Sequence, residues 1–167
     1  MTSEESPSKL PLPAVDQLID FLQSNPLMAS LSPEELAELV FIVQLLRGSP
    51  DEIIVHQGDV GDAWYLLFEG RLQVIRGGVE VATLHPGDCF GELSALDGEP
   101  RSATVISITK SILVRIPRSG FDSLLGANSL AAYKLTLALT RVVTGRIRSL
   151  VAGELPAEAD YASGEYQ

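Results

Sequence analysis

From Phe41 to Pro117 the chain is a succession of short runs rich in valine, isoleucine and aromatic residues, separated by glycine, aspartate and proline. The runs are Ile53 to Val55, Trp64 to Phe68, Arg71 to Ile75, Val79 to Leu84, Thr104 to Ile108 and Ile112 to Ile116, with Gly58, Gly61, Gly70, Gly77, Gly78 and Gly87 between them. Short strands spaced so regularly by turns argue for an antiparallel jelly roll or barrel. One stretch, Phe90 to Arg101, breaks the series and reads as a helical insert. The expected class is mainly β with flanking α: a β-roll at 41–117 carrying a short helix, between N-terminal helices and a long C-terminal one.

The flanks follow helical periods. Val15, Leu18, Ile19 and Leu22 fall at i, i+3, i+4 and i+7, which predicts an amphipathic helix over 13–24. Ser32 is placed as an N-cap, with Pro33 at the first helical position and Glu35 closing a capping box, so a second helix is expected over 33–40. After the roll, helices are expected within 118–151, the longer from about Asn128 to Val151. Its apolar residues, Leu130, Tyr133, Leu135, Leu137, Leu139, Val142 and Val143, nearly encircle it. Such a helix must be covered on more than one side. The roll can cover one side; a second copy of the chain, or the N-terminal helices, must cover the other, and a homodimer through 128–151 is expected. The same helix carries Lys134, Arg141, Arg146 and Arg148 with no acidic residue between Ser123 and Gly153. Gly145 weakens it by roughly 1 kcal/mol relative to alanine. Residues 1–9 and the acidic stretch 152–167 read as disordered tails around a domain at 10–151.

The insert carries the chemistry. Gly91 to Thr104 reads Gly-Glu-Leu-Ser-Ala-Leu-Asp-Gly-Glu-Pro-Arg-Ser-Ala-Thr. Gly91 opens a helical turn whose first backbone N–H groups and positive dipole end suit an anion. Arg101 supplies a planar cation fitted to phosphate oxygens. Ser102 adds a hydroxyl donor, and Glu92 can accept a hydrogen bond from a sugar hydroxyl. A small, singly charged phosphate ester with a free ribose hydroxyl needs these groups together. Taken alone, the glutamate would merely complement a helix dipole and the arginine would be a solvated charge.

This run resembles the phosphate-binding cassette of cyclic-nucleotide-binding domains, the family of the catabolite activator protein, protein kinase A regulatory subunits and cyclic-nucleotide-gated channels. Phe90 to Leu96 and Arg101 to Thr104 match the cassette, with Ser94 where alanine is commonest. Upstream, Asn25-Pro26-Leu27, Leu31 to Leu36, His56-Gln57-Gly58-Asp59, Trp64 to Leu67, Glu69-Gly70 and Pro86-Gly87-Asp88 extend the resemblance over about residues 25–150. Many relatives carry a glycine before the Ile53-Ile54 strand, where this chain has Ser49-Pro50-Asp51-Glu52. The resemblance implies a β-roll that binds cyclic AMP or cyclic GMP between roll and cassette. Phe90, Gly91, Arg101, Ser102, Ala103 and the backbone of Leu93, Ser94 and Ala95 would surround the cyclic phosphate. Glu92 would take the ribose 2′-hydroxyl, and Val74 and Val81 would line the base. Arg141 would stack on or bond the base as the long helix closes over it.

The remaining classes are weighed by what the sequence lacks. Lys+Arg of 12 against Asp+Glu of 22 gives a net charge of −10, which disfavours nucleic acid as the main partner. No run approaches the ~20 apolar residues of a membrane span, and no secretory signal follows the acidic start, so a cytoplasmic protein is expected. Cys89 is the sole cysteine, expected as a small buried hydrophobe, and His56 and His85 as surface residues without metal. There is no phosphate-binding Walker loop, no nucleophile elbow and no closely spaced histidine pair, so no enzyme activity and no cofactor are expected. The residues after Val151 are too few for a DNA-binding domain. The expectation is therefore a stand-alone cyclic mononucleotide receptor, cyclic AMP first, signalling through its C-terminal helix to a protein effector or a second copy. The alternatives are a scaffold with an empty pocket and a receptor for a cyclic dinucleotide, whose second phosphate would call for a second cation.

Overall fold

The structure, a computed structural model, describes residues 11–153; the expectations for residues 1–9 and for the acidic stretch from Glu154 lie outside them. Eight strands form two four-stranded sheets. They are β1 Gln44–Gly48, β2 Ile53–Val55, β3 Ala63–Glu69, β4 Leu72–Arg76, β5 Val79–Leu84, β6 Cys89–Phe90, β7 Thr104–Ser107 and β8 Ser111–Pro117. One sheet runs β1-β8-β3-β6 and the other β2-β7-β4-β5, every pairing antiparallel, which is the jelly-roll order. Among the described residues five α-helices accompany the roll, α1 Val15–Ser24, α2 Pro33–Val40, α3 Glu92–Asp97, α4 Arg118–Gly126 and α5 Leu130–Val151, with a 3-10 turn at Pro26–Met28 between the first two.

β3 from Ala63 to Phe68 and β8 from Ile112 to Ile116 are apolar but for the half-buried Arg115, and their two faces show why. Trp64 and Leu66 of β3, with Val114 and Ile116 of β8, pack into one cluster with the helices. Their alternating neighbours Ala63, Tyr65, Leu67 and Leu113 pack into a second cluster with Leu72, Val74, Leu84 and Val105 of the other sheet. Side chains of a strand alternate between faces, so a strand buried on both sides must be apolar throughout. The order of layers is thus helices, sheet β1-β8-β3-β6, sheet β2-β7-β4-β5. β1, missed by the sequence reading, is an edge strand with a mostly exposed Gln-Leu-Leu-Arg pattern, and β6 is too short to leave a pattern.

Helix boundaries follow caps. Ser32 Oγ accepts from the Glu35 N–H and Glu35 Oε2 accepts from the Ser32 N–H, the reciprocal box. The first helix begins at Val15 rather than 13, with the Ala14 N–H donating to Gln17 Oε1 at 2.9 Å. The long helix begins at Leu130, not Asn128, because Asn128 sits at φ 59, in the left-handed region, and Ser129 caps the Ala132 N–H. Leu135 and Leu139 of α5 bury in the helical cluster, where α5 packs on α2 and on residues 26–28, and Lys134 reaches back to Glu35 at 2.8 Å and to the Ser30 carbonyl. The N-terminal helices therefore cover one face of α5. Thr136, Thr140 and Thr144 each donate their hydroxyl to the carbonyl four residues earlier. Among the described residues no helix is long and apolar enough to cross a membrane, and no cluster of His, Cys, Asp or Glu is arranged to hold a metal.

Candidate functional site

The insert departs from the roll at β6 and returns through the turn before β7. Gly91 caps α3 at φ 79, a conformation glycine adopts without strain. It also leaves room: a Cβ there would stand 2.5 Å from Arg101 Nη1 and 3.2 Å from the Ala63 carbonyl oxygen. On the other side α3 is pressed against Gly61, where a Cβ would overlap Ser94. The close fit seats the six-residue helix directly on the end of β3.

Two opposite charges are buried by this arrangement. Glu92 is 2% exposed and Arg101 5%. Arg101 is held at its backbone by the loop after β2: its N–H donates to the Asp59 carbonyl at 2.8 Å and its carbonyl accepts from the Gly58 N–H at 2.9 Å. Its Nη1 donates to the Gly91 carbonyl at 3.2 Å, and its guanidinium carbon lies 5.6 Å from the centre of the Tyr65 ring. Tyr65 in turn stacks on Phe90, centroids 4.8 Å apart. The Asp62 carboxylate stands 3.6 Å from Nη2, while its other oxygen accepts from Arg115 at 2.7 Å. Burial pushes the Arg101 pKa down from its ordinary value.

The other predicted residues are placed unevenly. Val74 and Phe90 are buried in the core of the roll, with Ala103 packed against it. Ser102 and Leu93 are exposed beside the cassette, Ser94 is buried and Ala95 half-buried. The Ala95 N–H bonds the Gly91 carbonyl at 3.4 Å, so it is engaged within the helix. Val81 is 43% exposed and is the residue skipped where the β4–β5 register shifts between Val74 and Ile75. Arg141 is exposed on α5. The α5 arginine placed on the cassette is Arg146, whose Nη1 pairs with Glu92 Oε1 and whose Nη2 lies 3.4 Å from the Cys89 carbonyl. Its run of like-charged neighbours in sequence gave no hint of that partner. Cys89 is buried, which raises its thiol pKa, and both histidines are exposed. A cavity of about 610 Å³ opens beside the cassette, with Asp62, Arg115 and Arg118 in its wall, rather than over Glu92 and Arg101.

A β-roll whose helical insert buries a carboxylate and a guanidinium nine residues apart has the make-up of a ligand-binding module. Residues 46–128, from within β1 to the end of α4 and through the whole insert, match the model of the cyclic nucleotide-binding domain. A cAMP-dependent protein kinase regulatory subunit of Aspergillus niger is 38% identical over 108 residues, 64% of this chain and 26% of that protein. The catabolite activator protein of Thermus thermophilus is 32% identical with a TM-score of 0.65, covering 77% of this chain and 62% of that one. The regulatory domain of Toxoplasma gondii protein kinase A, solved with cyclic AMP, is 30% identical with a TM-score of 0.59, over 65% and 43% of the two chains. The chain belongs to the cyclic nucleotide-binding domain family. It spans about a quarter of the length of the curated relatives it matches first, 26% in each case.

Proposed function

We propose that this chain is a regulatory receptor that binds a cyclic mononucleotide reversibly, cyclic AMP first, and performs no chemistry on it. The observation that carries the reading is Arg101. Its ion pair among the described residues is with Asp62 at 3.6 Å, and that carboxylate already serves Arg115 more closely. A buried cation with so loose a counter-ion is costly, and an anion over the cassette relieves the cost. A ring-closed phosphodiester brings one negative charge to this one guanidinium. The two phosphates of a cyclic dinucleotide fit it less well. Glu92 would then accept the ribose 2′-hydroxyl, Ser102 would donate to the phosphate, and Val74, Phe90 and Ala103 would form the apolar side.

The output of this reading is α5. Its exposed face carries Leu130, Tyr133, Leu137, Thr140, Thr144, Ile147 and Val151 at alternating steps of three and four, the seam spacing of a coiled coil. A second copy of the chain or an effector helix would pack there, while the opposite face reports on the cassette through Arg146. Thermal unfolding with cyclic AMP, cyclic GMP and cyclic dinucleotides tests the reading. A bound ligand at one hundred times its dissociation constant adds about 2.7 kcal/mol of stability. Arg101→Ala should weaken cyclic AMP binding by about thirtyfold or more in calorimetry, since stranding one partner of a buried charged hydrogen bond costs roughly 2–5 kcal/mol. No stabilisation by any of the nucleotides would favour a scaffold instead.

A further inference from the structure

The buried carboxylate of the cassette is met by an arginine from a distant helix, and that meeting has a consequence for sugar recognition. We propose that Arg146 is a positioning residue for ribose selectivity: it keeps Glu92 ionised and turns its second oxygen toward the sugar hydroxyl. The inference rests on the reading of this domain as a cyclic nucleotide receptor.

Three observations carry it. First, a carboxyl group 2% exposed stays charged only when paired, and the cation paired with it is Arg146, Arg101 lying instead on Gly91 and beside Asp62. Second, Arg146 is itself anchored. Its Nη2 lies 3.4 Å from the Cys89 carbonyl of β6, two residues before Gly91, so the guanidinium is tied both to the strand that launches the cassette and to the carboxylate. Third, the pairing engages Oε1, and in the proposal Oε2 takes the hydroxyl.

The chemistry follows from the protonation state. An ionised carboxylate is acceptor-only at both oxygens, whereas a protonated one is also a donor. Hydrogen bonds to an ionised acceptor are roughly twice as strong as neutral ones. Removing Arg146 leaves Glu92 buried without its cation, and the group takes up a proton. It then distinguishes a 2′-hydroxyl from a hydrogen far less sharply, while Arg101 still holds the phosphate. A lysine at the position would supply charge without the planar fork that fixes the carboxylate's orientation.

Calorimetry with cyclic AMP and 2′-deoxy cyclic AMP provides the test. The wild-type protein should prefer the ribose form by about tenfold or more, the scale of one hydrogen bond to a charged group. Arg146→Gln should cut that preference to about threefold or less, with 2′-deoxy cyclic AMP affinity little changed. In a Glu92→Gln background the Arg146 substitution should alter the preference no further. Should Arg146→Gln fail to fold, Arg146→Lys retains the buried charge and should show an intermediate preference. An undiminished ribose preference in both variants overturns the inference alone. So does an equal loss for both nucleotides, which would mean that Arg146 only docks α5. A wild-type protein that binds neither nucleotide overturns the receptor reading and this inference together.

Discussion

At the scale of single residues the cassette depends on atoms that are missing. Gly61 and Gly91 are the two places where α3 approaches the roll too closely for a side chain, and only at Gly91 does the backbone also demand a positive φ. Gly61→Ala should therefore act through overlap with Ser94 alone. We expect it to lower stability in urea unfolding by about 1–3 kcal/mol, as overpacking does, and Ser94→Gly in the same chain should restore most of the loss. If the double variant is no more stable than the single, the close fit is not the cause. Glu92 and Arg101 were legible because their chemistry is local and their spacing within the insert is distinctive. Arg146 was not, since its partner lies on another element and nothing near it in the chain is acidic. The stretch at Ser49 to Glu52 shows the reverse case. There Asp51 takes φ 66 and gives its N–H to the Ser107 carbonyl at 2.8 Å; aspartate is among the few residues that tolerate that conformation.

Elements are joined by a small set of polar contacts. Lys134 of α5 donates to Glu35, the same side chain that closes the capping box of α2. The hydrogen bond from Lys134, and then the one from the Ser32 N–H, hold the Glu35 carboxyl below its ordinary 4.5. A carboxyl with a lowered folded pKa stabilises the fold above its unfolded value, and that contribution disappears as pH falls through the folded one. Glu35→Gln should consequently be less stable than wild type at neutral pH, and the gap should close in acid below 4.5. A gap independent of pH would sink this account. The seam of α5 gives a second expectation at this scale. Leu137→Asp with Ile147→Asp should abolish a dimer in analytical ultracentrifugation without unfolding the domain, because both side chains are exposed in the single chain. A wild-type protein that sediments as a monomer at all concentrations would remove the second copy as the occupant. Strands rich in β-branched residues and bounded by glycine were readable, and so was the capping box. β1 was hidden because an edge strand with little burial needs no apolar alternation, and the extent of β6 is set by its pairing with β3 rather than by its own residues.

Taken as a whole, the molecule is two cores sharing one sheet. β3 and β8 give alternate side chains to the helical cluster and to the interior of the roll, so a change on one face is felt on the other through a rigid pair of strands. The cassette sits at the end of that pair and touches α5 through Glu92 and Arg146. Binding of cyclic AMP should accordingly change amide-exchange protection in α3 and in the last three turns of α5 while leaving the first turn of α1 unaltered. Identical exchange in α5 with and without nucleotide would argue against its part in the output. The roll was legible from its regularly spaced strands, whereas the layer order and the face that α5 turns outward were not: the apolar residues of α5 encircle it in sequence, and only packing against α2 and residues 26–28 divides them. That outward face is also greasier than its letters suggest. Thr140 and Thr144 spend their hydroxyls on the helix backbone, so any surface laid along this helix meets methyl groups at those two steps, as it would with valine.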